Sequence, residues 1–164
     1  MKVLAIDPGF GRCGVAVLDG TASSATLLYS SCIETSSTDD FGVRLHNVGS
    51  EVSRIIKEFA PDTIAIEELY FTNNAKTALR VAEVRGMLIY LAGTLGVALV
   101  EYNPLAIKIA LTGYGRSTKE QVIKMVERLI KCPEKKMLDD EYDAIALGIT
   151  ALAGAKYNEV RSRK

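Results

Sequence analysis

The hydrophobic period of this chain first changes near residue 40, and that change limits the folds open to it. Before it, apolar residues fall in short extended stretches. Val3 to Ile6 is a continuous apolar run after Lys2, closed by Asp7-Pro8-Gly9. A run of that kind bounded by turn residues reads as a buried strand. Gly14 to Leu18 reads as a second strand closed by an Asp19-Gly20 hairpin turn, and residues 26–34 read as a third. The short links predict antiparallel pairing of the three. After the change, Phe41, Leu45, Val48, Val52, Ile55, Ile56 and Phe59 recur every three or four residues. That spacing predicts an amphipathic helix, which Asp39 or Asp40 can cap and Pro61-Asp62 ends.

The rest of the chain alternates. Thr63 to Ile66 is a short β-branched strand ending at Glu67, and residues 74–95 form a long helix rich in Ala, Leu and Val. Gly96 ends that helix, and residues 97–102 form another apolar strand. Asn103-Pro104 opens a short helix to about residue 112. Ser117 and Glu120 have the capping-box spacing ahead of a basic helix reaching Lys131. A last helix is expected from Asp139 to Ala155. The order βββαβαβααα predicts an α/β fold with a mixed sheet and helices on both faces. Residues 1–155 read as a single domain, and residues 156–164 as a polar, frayed C-terminal tail.

Several function classes are excluded by residue counts. One histidine, His46, sits within a helical pattern, which leaves little room for Ser-His-Asp chemistry. The three cysteines have no CxxC spacing, so neither a disulfide framework nor a cysteine-based zinc site is expected. No apolar run approaches the roughly 20 residues of a membrane span, and an acid at position 7 interrupts any signal-peptide core, so a cytoplasmic location is expected. Twenty basic and twenty acidic residues give a net charge of zero, which argues against holding nucleic acid by bulk charge. The charges are nevertheless segregated. Residues 101–136 hold eight basic and four acidic side chains, and residues 137–143 hold four acids and no base. A basic surface beside a dense acidic knot is able to hold phosphates next to a cation.

Two of the acids end buried strands. Asp7 follows the first strand and Glu67 the fourth, and ligand sites in α/β sheets favour the carboxyl ends of strands. Asp140 and Asp143 are spaced to project from one face of the last helix, in its first turn. Converging carboxylates repel unless a cation neutralises them, and hard oxygen donors without nearby His or Cys suit magnesium or manganese. Two such ions about 4 Å apart activate water and stabilise a phosphodiester leaving group.

These residues also carry a family resemblance. Ile6-Asp7-Pro8-Gly9, Gly14-Val15-Ala16-Val17, Ala65-Ile66-Glu67-Glu68 and Asp140-Glu141-Tyr142-Asp143-Ala144-Ile145-Ala146 resemble, in order, the motifs of the RuvC family of Holliday junction resolvases. Asn74-Ala75, Ala78-Leu79 and Arg85-Gly86 are similar to the family's central helix, and Lys108 with Gly113 to Val122 to its basic segment. The resemblance implies a ribonuclease-H-like fold with a five-stranded mixed β-sheet flanked by α-helices. It implies a homodimer that binds a four-way DNA junction and nicks two strands of like polarity, using divalent metal, with magnesium the expected ion and manganese a possible substitute. The four acids map to Asp7, Glu67, Asp140 and Asp143, with Asp139 a rival for the third place. Lys108 and Lys119 match lysines that meet DNA near the cut, Arg116 lies in the matched basic segment, and Tyr70 falls where the family has a base-stacking aromatic. Work alongside the RuvA–RuvB branch-migration complex is implied by the same resemblance.

Two features depart from the family pattern. The family is usually basic and this chain is neutral, and Phe71-Thr72-Asn73 differs from the commoner residues, which leaves the cleavage sequence open. Three other readings compete. YqgF-type nucleases of ribosomal RNA precursors share the opening Asp-x-Gly but lack the basic segment. Actin-like and sugar-kinase ATPases need two such domains and about twice this length. A non-catalytic junction-binding module would keep the acids inert.

Overall fold

The computed structural model describes residues 1–21, 23–69 and 75–162. Five strands form one sheet: β1 (Lys2–Asp7), β2 (Arg12–Thr21), β3 (Ser24–Glu34), β4 (Thr63–Glu67) and β5 (Ala98–Tyr102). Five helices accompany them: α1 (Phe41–Phe59), α2 (Ala75–Leu95), α3 (Pro104–Thr112), α4 (Lys119–Leu129) and α5 (Asp139–Ser162). The sheet order is β3-β2-β1-β4-β5. β1, β2 and β3 pair antiparallel, while β1 with β4 and β4 with β5 are parallel. The expected α/β fold and mixed sheet are therefore present, and the element order is the one read from the sequence.

The pleat divides the core in two. On β1, Leu4 and Ile6 face one side, where they join Val15, Val17, Ile64 and Ile66 beneath α1 and α2. Val3 and Ala5 face the other side with Ala16, Leu18 and Ala65, beneath α3, α4 and α5. Three of the strand residues on the second side are alanines, and α5 lies close on it. A β-carbon at Gly148 would overlap Leu18 and stand 3.3 Å from the Ala5 β-carbon. At the other end of the contact, a β-carbon at Gly14 would overlap the backbone carbonyl of Asp140. The missing side chains let the helix backbone approach the strands, which fixes where its first turn lies.

Four local expectations shift. The β2–β3 turn does not lie at Asp19-Gly20: β2 continues to Thr21, which pairs with Ser24. Gly20 stays in the ladder with φ +126°, where its backbone meets Ser24 too closely for a side chain. The capping box of α4 is Thr118 with Gln121, one residue later than expected. The Ser117 hydroxyl is engaged elsewhere, donating to the Tyr114 carbonyl at 2.7 Å and standing 2.7 Å from Thr112 Oγ1. Asp40 occupies the N-cap position of α1, but its side chain makes no capping hydrogen bond. Finally, α5 runs to Ser162 instead of ending at Ala155. Residues 156–162 contain no Pro or Gly to stop it.

Candidate active site

The sheet order brings Asp7 and Glu67 to neighbouring positions. β1 and β4 are parallel neighbours in register at Ile6 and Ile66, so both acids stand at the same, C-terminal end of these strands. Across the antiparallel ladder, Asp7 stands opposite Gly14. Gly14 in turn carries the Asp140 carbonyl against its backbone. The first turn of α5 is thereby set beside the end of β1, although about 130 residues of sequence separate them.

Electrostatics shows the four acids acting on one another. Burial pushes the Asp7 carboxyl up to about 7, and the charges of Glu67, Asp143 and Asp140 push in the same direction. Glu67 rises to about 6, chiefly through burial and then through Asp143. Asp143 is also raised by burial, against the opposing pull of Lys119. Asp140 and its rival Asp139 are distinguished by position. Asp140 is 18% exposed and its charge acts on Asp7, whereas Asp139 is 63% exposed.

Two cations answer this negative charge. Lys119 Nζ donates to Asp143 Oδ2 at 3.0 Å and lies 3.5 Å from Asp139 Oδ2. Arg12 Nε stands 3.2 Å from Asp140 Oδ2. That Asp140 oxygen is buried and accepts no hydrogen bond, so the charge contact with Arg12 is its compensation. Among the described residues, no three acid, imidazole or thiol groups converge on a single point as they stand. The donor set still fits a hard divalent ion: it is all oxygen, partly buried, mutually repelling, and includes a buried carboxylate oxygen that accepts no hydrogen bond.

A cavity of about 290 Å³ opens beside these groups. Glu67, Asp143, Lys108 and Lys119 line it, with Ile107 and Val122 supplying apolar wall. The Lys108 charge also opposes the rise of Glu67. Six of the eight expected site residues are thus brought together: Asp7, Glu67, Asp140, Asp143, Lys108 and Lys119. Arg116 is exposed on the loop before α4 and does not line this cavity. Tyr70 lies outside the described residues. His46 is exposed on α1, 3.3 Å from Ser50, and all three cysteines are free.

Two arginines stand outside the expected site residues. Arg12, at the start of β2, pairs with Asp140. Arg85, on α2, donates through Nη1 to the Glu67 carbonyl and through Nη2 to Glu101 Oε1 at 2.6 Å. The signal for Arg85 was its place on the stripe that also holds Ala78, Leu88 and Ala92, all buried. A charged residue on a buried stripe requires buried acceptors.

Comparisons with known proteins point to one family. The family model for the crossover junction endodeoxyribonuclease RuvC matches residues 3–151. A relative of that name from Finegoldia magna is 39% identical over 164 residues, covering all of both chains. Another from Moorella thermoacetica is 36% identical over 159 residues, covering 97% of this chain and 95% of the relative. Among solved structures, T. thermophilus RuvC in complex with a Holliday junction substrate superposes with a TM-score of 0.90 at 29% identity, covering 96% of each chain.

Proposed function

The chain belongs to the crossover junction endodeoxyribonuclease RuvC family, and from that premise we propose that it resolves four-way DNA junctions in recombination and repair by nicking two strands of like polarity symmetrically. The observation that carries this reading is the coupled set of Asp7, Glu67, Asp140 and Asp143, set beside a cavity walled by Lys108 and Lys119. We read residues 1–155 as the nuclease domain and residues 156–164 as its C-terminal extension.

The same four acids would hold two divalent cations per active site, magnesium first and manganese as a substitute. When bound, such an ion supplies Lewis acidity that makes water nucleophilic at neutral pH and stabilises a departing oxygen. The chain's own groups do the rest. Asp7 and Glu67, raised to about 7 and about 6 chiefly by burial, are the acids whose ionised form a bound cation would favour most. Lys119 is hydrogen-bonded to Asp143 on the cavity wall, where its ammonium would face the scissile phosphate. There it stabilises the charge that builds up in the transition state. Lys108 adds positive charge on the same wall. The apolar side chains of Ile107 and Val122 exclude water from that wall and strengthen each contact. Arg116, on the loop ahead of α4, contacts a junction phosphate, and Tyr70 stacks on a base at the crossover. The products carry a 5′ phosphate and a 3′ hydroxyl.

Symmetric nicking requires two copies. The outer side of α2 exposes Leu79, Ile89 and Tyr90, at 68%, 46% and 71%. An open apolar face of that kind is a contact surface, and we assign it to the homodimer. No described helix is long and apolar enough to cross a membrane. A cytoplasmic site of action and work with the RuvA–RuvB complex complete the proposal.

The test is cleavage of a mobile synthetic four-way junction by the purified protein. Controls are a linear duplex and a chelated reaction. Paired symmetric nicks that need both junction and metal are the expected result. Tight junction binding without nicks in magnesium or manganese would overturn the enzymatic reading in favour of a structural binder.

A further inference from the structure

Glu67 is held from outside the acid cluster. It is the last residue of β4, so its backbone carbonyl is where the strand ends and the chain departs. Arg85 reaches that carbonyl from α2 with Nη1, while its Nη2 is 2.6 Å from Glu101 Oε1 on β5. The Arg85 side chain is only 12% exposed. β4 and β5 are in register here, with Ile66 opposite Glu101 and Glu67 opposite Tyr102. The Glu68 amide donates to the Tyr102 carbonyl at 2.9 Å and closes the ladder. One guanidinium therefore ties a helix to the ends of two strands at the point where an acid enters the cavity.

The chemistry of arginine suits that position. Its fork is planar, stays charged and presents donors in fixed directions, so two acceptors held by it cannot move independently. Fixing a carbonyl fixes the neighbouring peptide plane, and with it the direction in which the same residue's side chain leaves the backbone. A lysine offers a single ammonium on a flexible stem and cannot hold both acceptors at a set angle. Glu101 lies on the far side of the fork, orients it and neutralises it. Neither Arg85 nor Glu101 lines the cavity, so any influence on chemistry passes through Glu67.

We infer that Arg85, oriented by Glu101, is a positioning residue that aims Glu67 into the active site. The inference rests on the nuclease reading above and names a requirement which that reading lacks. Groups that orient metal-binding residues typically change metal affinity or activity by 10–100-fold when removed.

The experiment uses the full chain as Arg85→Met, Arg85→Lys, Glu101→Gln and the double variant Arg85→Met/Glu101→Gln. Manganese is titrated calorimetrically into the DNA-free protein. Junction affinity is measured in chelator, and nicking is followed in single turnover at saturating protein. Arg85→Met is expected to bind manganese about 10-fold more weakly and to nick on the order of 10-fold more slowly, with junction affinity unchanged. Arg85→Lys should recover part of the loss. Glu101→Gln should give a smaller loss, and the double variant should be no worse than Arg85→Met, because Glu101 acts through Arg85. A residue that merely staples α2 to the sheet would lower the melting temperature and leave manganese affinity and the nicking constant intact, which overturns the inference. If Arg85→Met does not fold, Glu101→Gln decides, and unchanged manganese affinity and nicking in it overturn the inference. A wild-type protein that neither takes up manganese nor nicks removes the nuclease reading and this inference together. Uptake and nicking by wild type with no change in the variants removes this inference alone.

Discussion

The two faces of the sheet are built from different residues. Beneath α1 and α2 the strands contribute Leu4, Ile6, Val15, Val17, Ile64 and Ile66. Beneath α3, α4 and α5 they contribute three alanines, Ala5, Ala16 and Ala65, beside Val3 and Leu18, and Gly14 and Gly148 stand at the closest approaches of α5. Large aliphatic side chains bury the most apolar area per residue, so the α1–α2 face supplies more hydrophobic stabilisation for each contact. Small residues bury less and bring backbone to backbone, so the α5 face gives up area and gains a defined distance. That face carries Asp140 and Asp143. The molecule separates stability on one side of the sheet from placement on the other.

Substitutions on the two faces should therefore fail in different ways. The largest effect belongs to the acids themselves. Asp7→Asn is expected to lower single-turnover nicking of the junction by 10³-fold or more, about 4 kcal/mol of transition-state stabilisation, while junction affinity in chelator stays the same. Retained cleavage would remove Asp7 from the mechanism. Next comes Leu4→Ala on the α1–α2 face, expected to cost about 3 kcal/mol in urea unfolding and to leave nicking per folded molecule within about threefold of wild type. A large loss of nicking in the folded fraction would show that this face also positions the acids. Gly14→Ala inverts the pattern. Its β-carbon meets the Asp140 carbonyl, so overpacking should cost about 2 kcal/mol of stability while nicking falls about 100-fold as the first turn of α5 is displaced.

The smallest effect is a pH dependence confined to the acid cluster. Asp7 and Glu67 are raised to about 7 and about 6 in the folded protein, from 3.8 and 4.5. The folded state therefore binds more protons than the unfolded chain between about pH 4 and pH 7. The stability this contributes is fully present below pH 4 and is lost as pH rises through 7. In chelator, Asp7→Asn should flatten that part of the profile and leave the variant more stable than wild type at pH 8, by on the order of 1–2 kcal/mol. Thermal unfolding across a pH series is the check, and an unchanged profile would show that burial and the neighbouring acids do not raise Asp7.

Much of this arrangement could be read from the residues alone, and the reason differs by region. Asp7 and Glu67 were visible because each directly follows a buried apolar run, and a strand end is a sequence-local event. Asp140 and Asp143 were visible as a pair spaced on one helix face, but the choice between Asp140 and Asp139 depends on how α5 is rotated against β2. The contact that sets this rotation is at Gly14, more than 120 residues away in the chain. Arg12 and Arg85 were missed for the same reason, since their partners lie on other elements. Ser117 was read as a cap because its spacing to Glu120 fits, and it lost that role when its hydroxyl was taken by Thr112 and Tyr114. Local signals locate elements, and competition between tertiary partners decides which hydroxyl, acid or guanidinium is used.

The acids also arrive in order along the chain. Asp7 and Glu67 lie within the first 67 residues, whereas Asp140 and Asp143 come with α5, which completes the cover that α3 and α4 begin on one face of the sheet. During synthesis from the N-terminus, the emerging polypeptide therefore holds half of its carboxylates and an open apolar surface until the last helix leaves the ribosome. Completion of the core and completion of the cutting site are one event. A truncated translation product lacking α5 would be unable to fold and unable to nick DNA.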